Sequence, residues 1–141
     1  MSGKKTIKEL TEIIRKHELW LRNSTLGEPA DLRGEDLSGI DFRGVNLNHA
    51  NLSYANLSCA ILEGVNLIHA NLGYAILDNA NLSYAILEGA NLEYANLSNT
   101  NFSYANLRNS FLSDANVKDA NFDNANLWNT TLWNAMVRGL I

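Results

Sequence analysis

The stretch AILDN ANLSY AILEG ANLEY ANLSN, residues 75–99, repeats one five-residue pattern, and this pattern decides the fold of the chain. Every fifth residue from Leu32 to Val137 is Leu, Phe or Val, which makes 22 such positions without a slip in register. Two places before them stands Ala in 15 cases, and directly before them stands Asn in 13 and Asp in three. A period this strict predicts a repeat architecture.

A period of five fits neither a straight helix nor a flat strand. Five residues of α-helix turn through about 500°, so successive leucines would drift round the surface by about 140°. In a flat strand an odd period would send every second leucine to the wrong face. The chain must therefore bend once per repeat, with Ala and Leu pointing inward and the next two residues forming a corner. Gly or Asn at the second corner residue suits the positive φ of a tight corner.

The outward residues indicate how many corners make one turn of the solenoid. Tyrosine takes the second corner position in five repeats and histidine in two, and like residues are separated by multiples of ten. This spacing favours an even number of sides, and four sides of five residues would give a 20-residue coil. Three columns are then predicted: Tyr54, Tyr74 and Tyr94; Tyr84 and Tyr104 on the opposite face; and His49 with His69.

The pattern A-(N/D)-L-x-x resembles that of the pentapeptide-repeat family over about four-fifths of the chain. The resemblance implies an all-β solenoid, a right-handed quadrilateral parallel β-helix of about 5.5 coils of 20 residues, preceded by an α-helical cap. The resemblance also implies one candidate function, since some members are acidic homodimeric rods that mimic duplex DNA and bind type II topoisomerases. Two hypotheses follow: a non-catalytic structural or protein-interaction scaffold and, as the alternative, a DNA-mimicking homodimer that binds gyrase.

Residues 1–29 are predicted to form a capping helix and a linker, and residues 30–141 the β-helix. Thr6 and Glu9 have the spacing of a capping box, which starts a helix. Apolar residues then recur at steps of three and four, namely Ile7, Leu10, Ile13, Ile14, His17 and Leu21. Such a helix could bind a membrane surface or a partner. We favour a helix that covers the open end of the repeat core, because stacked repeats need a cap.

Charge and composition narrow the classes of function. Residues 1–29 carry six Lys/Arg and four Asp/Glu, whereas residues 30–141 carry five and eleven. An acidic body is unsuited to direct nucleic-acid binding, which needs a basic patch. Cys59 is the single cysteine, so no internal disulfide forms, and neither a signal peptide nor a membrane-spanning run is evident. We expect a cytoplasmic protein that needs neither a membrane nor a cofactor.

No catalytic motif is evident, so we predict that the protein is not an enzyme and holds no metal. Phosphate-binding glycine loops, Cys-x-x-Cys pairs, His-Glu-x-x-His and Gly-x-Ser-x-Gly are absent from the sequence. His49 and His69 have no third ligand in their column, where Gly89 follows. Because structural zinc takes four ligands, we interpret the pair as a surface stack.

Four carboxylates make the first repeats acidic: Asp31, Glu35, Asp36 and Asp41. Glu35 stands in a position that should point inward. A divalent cation could explain this, but an ion pair with Arg33, Arg43 or a cationic residue of the helix is favoured.

The remaining candidate sites are aromatic. The tyrosine columns could form a recognition surface, since aromatic residues are enriched at interfaces, or could stabilise neighbouring strands without a partner. At the C-terminal end the candidate residues are Phe111, Trp128, Trp133, Met136, Leu140 and Ile141. An open apolar coil edge is an aggregation hazard. The hypotheses are that this end docks against its copy in a two-fold homodimer, or that the tryptophans fold over their own last coil.

Overall fold

The computed structural model describes residues 4–135, which form one helix, α1 (Ile7–Arg22), followed by a four-sided solenoid. Seventeen parallel bridges, each of one residue, join position i to position i+20, for example Asp31 to Asn51 and Asn51 to Asn71. The predicted 20-residue coil and four-sided parallel β-helix are therefore confirmed. Each side pairs through a single residue, so no longer strand is present between residues 4 and 135.

Helix α1 starts as predicted. The Glu9 amide donates to Thr6 Oγ1 at 3.2 Å, and the Thr6 amide donates to the Glu9 carboxylate at 2.7 Å. These bonds satisfy two of the amides that a helix start leaves without partners. Leu10 and His17 are buried against the first coil, whereas Ile7 is 67% exposed at the rim of a groove between the helix and that coil. The helix thus caps the N-terminal end of the core.

The linker returns along the helix through close contacts. A Cβ at Gly27 would overlap the Lys16 carbonyl oxygen and lie 2.8 Å from the Trp20 amide nitrogen. The Ala30 amide then donates to Nδ1 of His17 at 3.0 Å. His17 is fully buried, its Nε2 has no hydrogen-bond partner, and burial lowers the pKa of its imidazole. The neutral form of His17 therefore joins the helix to the first repeat.

Backbone hydrogen bonds explain why the chain turns every five residues. The Leu52 and Tyr54 amides donate to the Asn71 and Gly73 carbonyls of the next coil at 2.7 and 3.0 Å. The Ala55 amide donates to the Leu52 carbonyl at 3.1 Å and closes a four-residue corner. A type II turn of this kind needs positive φ at its third residue. At that position sixteen non-glycine and five glycine residues all have φ between 54° and 78°.

The asparagine that precedes 13 of the 22 inward Leu, Phe or Val residues forms hydrogen bonds within the corner. Asn51 Oδ1 accepts from the Ser53 amide at 3.1 Å and from its hydroxyl at 2.8 Å. Asn91 Nδ2 also donates to Asn71 Oδ1 at 3.3 Å across one coil. The asparagine side chains thus form Asx-type hydrogen bonds to the amide of the first corner residue, which makes no backbone hydrogen bond between coils. The outward surface consists mainly of corner side chains.

The core is a set of leucine and alanine ladders. Leu62, Leu82 and Phe102, for example, follow one another at 20-residue steps and are all fully buried. Burial decreases at the C-terminal end, where Phe122, Leu127 and Leu132 are only partly buried. Phe122 still stacks on Phe102 at 5.1 Å between ring centroids. The core is therefore closed by α1 at one end and is more exposed at the last described coil.

Candidate functional site

The tyrosines form two columns at diagonally opposite corners of the solenoid. Tyr54, Tyr74 and Tyr94 stack with ring centroids 4.9 and 4.8 Å apart and ring planes within 8° of parallel. Tyr84 and Tyr104 stack at 5.0 Å. The separations match the spacing of neighbouring strands, so the coil geometry sets the stacking distance. Both columns lie where the sequence predicts them.

Each tyrosine holds a left-handed backbone conformation, with φ between 59° and 61°. This region is unfavourable for a bulky L-residue by roughly 1–2 kcal/mol. The ladder bonds on either side of the corner impose it, and ring stacking with the next coil offsets part of the cost. The columns therefore consist of aromatic side chains fixed in place by the fold.

The tyrosine columns expose the edges and the hydroxyl groups of their rings to solvent. The five tyrosines remain between 48% and 63% exposed, although each ring face inside a column is covered by its neighbour. Burial, together with the neighbouring phenols, raises the pKa of Tyr74, the middle ring of the longer column. The surface offered to a partner is thus a ladder of apolar edges with a row of hydroxyl groups.

The 20-residue register adds two aromatic residues to the side that carries the longer column. Phe111 continues the outward positions of Asn51, Asn71 and Asn91, and it is 45% exposed. Trp133 follows at the first corner position of the same side and is 77% exposed. We call this side the aromatic face: Tyr54, Tyr74, Tyr94, Phe111 and Trp133. Phe111 and Trp133 are therefore not only residues of the C-terminal end, as the sequence analysis predicts, because their 20-residue spacing from the tyrosine repeats places them on this side.

The other C-terminal candidates are separated from the aromatic face. Trp128 lies on the neighbouring side, where the Arg108 guanidinium sits 4.7 Å from its ring centroid. Trp128 is nevertheless 62% exposed, so it does not cover the last coil. Met136, Leu140 and Ile141 lie outside the described residues.

The histidine column continues into α1. His49 and His69 lie 5.3 Å apart between ring centroids, and Trp20 from α1 contacts the other side of His49 edge-on at 6.2 Å. Trp20 in turn stacks on His17 at 5.7 Å. Within residues 4–135 no three His, Cys, Asp or Glu side chains could together hold a metal ion. The histidines form part of an aromatic contact between the helix and the solenoid.

The acidic first repeats are paired with cations. Glu35 forms the ion pair that the sequence analysis favours over a cation site, but its partner at 3.0 Å is Lys5, which precedes α1, and not Arg33, Arg43 or a residue of the helix. Arg33 pairs with Asp31 at 2.7 Å. Hydrogen bonds from the Arg43 side chain lower the pKa of Asp41 to about 2.

The carboxylates beyond the first coil are spread over all four sides. By register the pairs on three sides are Glu93 with Asp114, Asp78 with Asp119, and Glu63 with Asp123, and Glu88 lies on the fourth. No stripe of negative charge follows one side of the described solenoid. Between residues 4 and 135, none of the helical structure has the length and hydrophobicity of a transmembrane span.

A comparison with family models matches the chain to pentapeptide repeats in eight copies, at residues 30–64, 60–99, 87–119 and 95–134. No curated protein matches. Among solved structures, the chain is similar to a pentapeptide repeat protein from the cyanobacterium Cyanothece 51142, with a TM-score of 0.71 and 30% identity over 82% of this chain and 92% of that one.

It is also similar to a pentapeptide repeat protein from the thylakoid lumen of Arabidopsis thaliana, with a TM-score of 0.65 and 35% identity. That alignment covers 67% of this chain and 66% of the other chain's length. The plasmid-mediated fluoroquinolone resistance protein QnrB1 matches at 18% identity and a TM-score of 0.43, over 79% of this chain and 83% of that one. A likeness this low carries no functional argument.

Proposed function

The chain belongs to the pentapeptide-repeat family, and we propose that it is a non-catalytic protein-interaction scaffold that binds its partner through the aromatic face. The observation that carries the proposal is the row of exposed aromatic side chains on one side of the solenoid. Buried aromatic anchors dominate the binding energy of many protein interfaces. The stacked tyrosines are already held in place, so a partner orders few additional side chains on binding.

The tightly packed interior of the solenoid favours a scaffold function over an enzymatic one. Its interior is filled by fully buried leucine and alanine, such as Leu82 and Ala85. A filled solenoid leaves no internal pocket in which several polar groups could converge on a substrate. The polar side chains that alternate with the core, such as Asn51, are used for corner hydrogen bonds.

A capture experiment with matched variants tests the proposal. Tyr54, Tyr74 and Tyr94 are replaced together by asparagine rather than alanine, because asparagine tolerates positive φ and Asn79 and Asn99 already occupy such corners. The control replaces Tyr84 and Tyr104 in the same way. We expect the first variant to lose a partner that the wild type and the control both capture, with both variants still folded by circular dichroism. Equal capture by all three proteins would contradict the proposal.

A gyrase-binding DNA mimic remains the alternative, and the charge distribution does not favour it. Duplex DNA presents regularly spaced phosphates, whereas the carboxylates here are divided among four sides and several in the first coil are paired with lysine or arginine. A gyrase supercoiling assay with increasing protein separates the two functions. Inhibition at low micromolar protein that persists in the triple tyrosine variant would favour the mimic.

For the C-terminal end we propose a two-fold homodimer through the last coil. The support is the partial exposure of Phe122, Leu127 and Leu132, three core residues at the last described coil. Pairing two such ends would continue one apolar core into the other. Sedimentation velocity over a range of concentrations tests this, and a strict monomer at high micromolar concentration would rule the dimer out.

A further inference from the structure

The first ring of the longer tyrosine column has one open face. Gly34 occupies the column position one coil before Tyr54, with φ of 65° against 61° for Tyr54. A Cβ built on Gly34 meets no atom within 4 Å. A shallow concavity of about 700 Å³ opens here, lined by Gly34, Tyr54, Asp31, Arg33, Ser53 and Asn71. The chain therefore leaves a space where the column would place a further ring.

Another glycine shows that such a space is not a property of every glycine corner. Gly89 follows His69 in the histidine column, and a Cβ on Gly89 would overlap the His69 ring. The His69 ring thus leans toward the following coil and covers Gly89. Gly34 and Gly64 each come before the first ring of a tyrosine column and stay uncovered, and Gly34 in addition lines the concavity beside Tyr54.

The histidine column also shows how such an end is filled. His49 is its first ring, and Trp20 contacts it from outside the column at 6.2 Å, with the two ring planes at 77°. Helix α1 therefore supplies an aromatic side chain to the N-terminal end of one corner column. Tyr54 has no equivalent ring on that side among residues 4–135.

The charged side chains beside the uncovered face of Tyr54 indicate which kind of ligand could bind there. Arg33 donates to both oxygens of Asp31, at 2.9 and 2.7 Å. Glu35, which also lines the concavity, lies 3.0 Å from Lys5. Both carboxylates are already paired with cations, so a charged ligand gains no unpaired counter-charge, but Oε2 of Glu35 is buried and still lacks a hydrogen-bond donor among the described residues. A neutral planar ring gains stacking, and a polar edge could donate to the remaining lone pairs of Asp31.

We propose that the gap between Gly34 and Tyr54 binds a tryptophan or tyrosine side chain of a protein partner, with its ring stacked on Tyr54. The proposal rests on the scaffold function and specifies the chemistry of its partner. It makes the N-terminal end of the aromatic face the anchoring point.

The test is an NMR titration of the full chain carrying ¹³C-labelled tyrosine, with N-acetyltryptophanamide as the probe. We expect saturable shifts of the Tyr54 ring signals that exceed those of Tyr94. Gly34→Tyr should fill the gap and weaken binding by about tenfold or more. Gly64→Tyr is the matched control, since Gly64 has φ of 66°, equal free space and a place at the other tyrosine corner. It should leave the Tyr54 titration unchanged.

Three results would overturn the proposal: no shift of Tyr54, unchanged affinity in Gly34→Tyr, or tighter binding of N-acetylargininamide than of N-acetyltryptophanamide. If Gly34→Tyr fails to fold, Gly34→Asn replaces it, because asparagine is native to this corner conformation at Asn79. Unchanged affinity in that variant also counts against the gap. The titration needs no partner, so its failure and a failure of partner capture are separate results.

Discussion

Replacement of Leu82 by alanine measures how tightly the leucine ladders are packed. Leu82 is 0% exposed and lies by register between Leu62 and Phe102, which are equally buried. The change removes three carbon atoms, about 2.4 kcal/mol of transfer free energy at about 0.8 kcal/mol per methylene. The coils on both sides are fixed by ladder hydrogen bonds, so the cavity cannot collapse and adds about 1–1.5 kcal/mol. We expect the free energy of unfolding to fall by about 3.5–4 kcal/mol.

Urea unfolding followed by circular dichroism gives this free energy, provided that the dependence on urea is the same for both proteins. Tyr84→Asn is the control, since Tyr84 belongs to the same pentapeptide but is 57% exposed. Its cost should stay below about 1 kcal/mol. A loss below about 1.5 kcal/mol for Leu82→Ala would refute the close-packed ladder.

The helix cap and the corners give three further predictions. Burial lowers the pKa of His17 in the folded protein, so its contribution to stability should be constant above about pH 6.5. Below that pH stability should fall, because the unfolded chain takes up the proton first. Urea midpoints measured against pH should lose this dependence in His17→Gln, and an identical profile in the variant would contradict the prediction. Gly27→Ala should lower stability by about 1–3 kcal/mol, because its Cβ would overlap the helix backbone, and a neutral effect on the melting temperature would count against that contact. Gly64→Ala should lower the free energy of unfolding by about 1 kcal/mol through positive φ alone. Gly89→Ala should lower it further, because the new Cβ would also displace the His69 ring. Equal melting temperatures for the two variants would show that the ring does not lie there.

Local pattern was enough to predict most of the fold. The period of five excludes both regular elements, and the multiples of ten between tyrosines predict the 20-residue coil that the bridges show. The capping box at Thr6 and Glu9 is equally local, and it marks the helix start. Each of these features depends on neighbours in sequence or on a fixed repeat, which a single chain displays.

The residue types at the corners and the side-chain contacts of the capping helix were harder to predict. Corner composition predicts positive φ for glycine and asparagine, but tyrosine and histidine adopt it as well. The inter-coil hydrogen bonds impose this conformation on whichever residue occupies the corner. The pairing of Lys5 with Glu35 and the contact of Trp20 with His49 depend on the path of the linker, which no periodic pattern specifies. The position of Trp133 on the aromatic face, in contrast, follows from the register alone.

Hydrogen exchange of the wild-type chain, free and bound to its captured partner, tests the aromatic face most directly. We predict that the partner slows exchange at amides of residues 51–54, 71–74 and 91–94, which carry the longer tyrosine column, and leaves 81–84 and 101–104 at the opposite corner unchanged. Equal slowing at both corners, or slowing at the opposite corner alone, would contradict the proposal that this protein binds through the aromatic face.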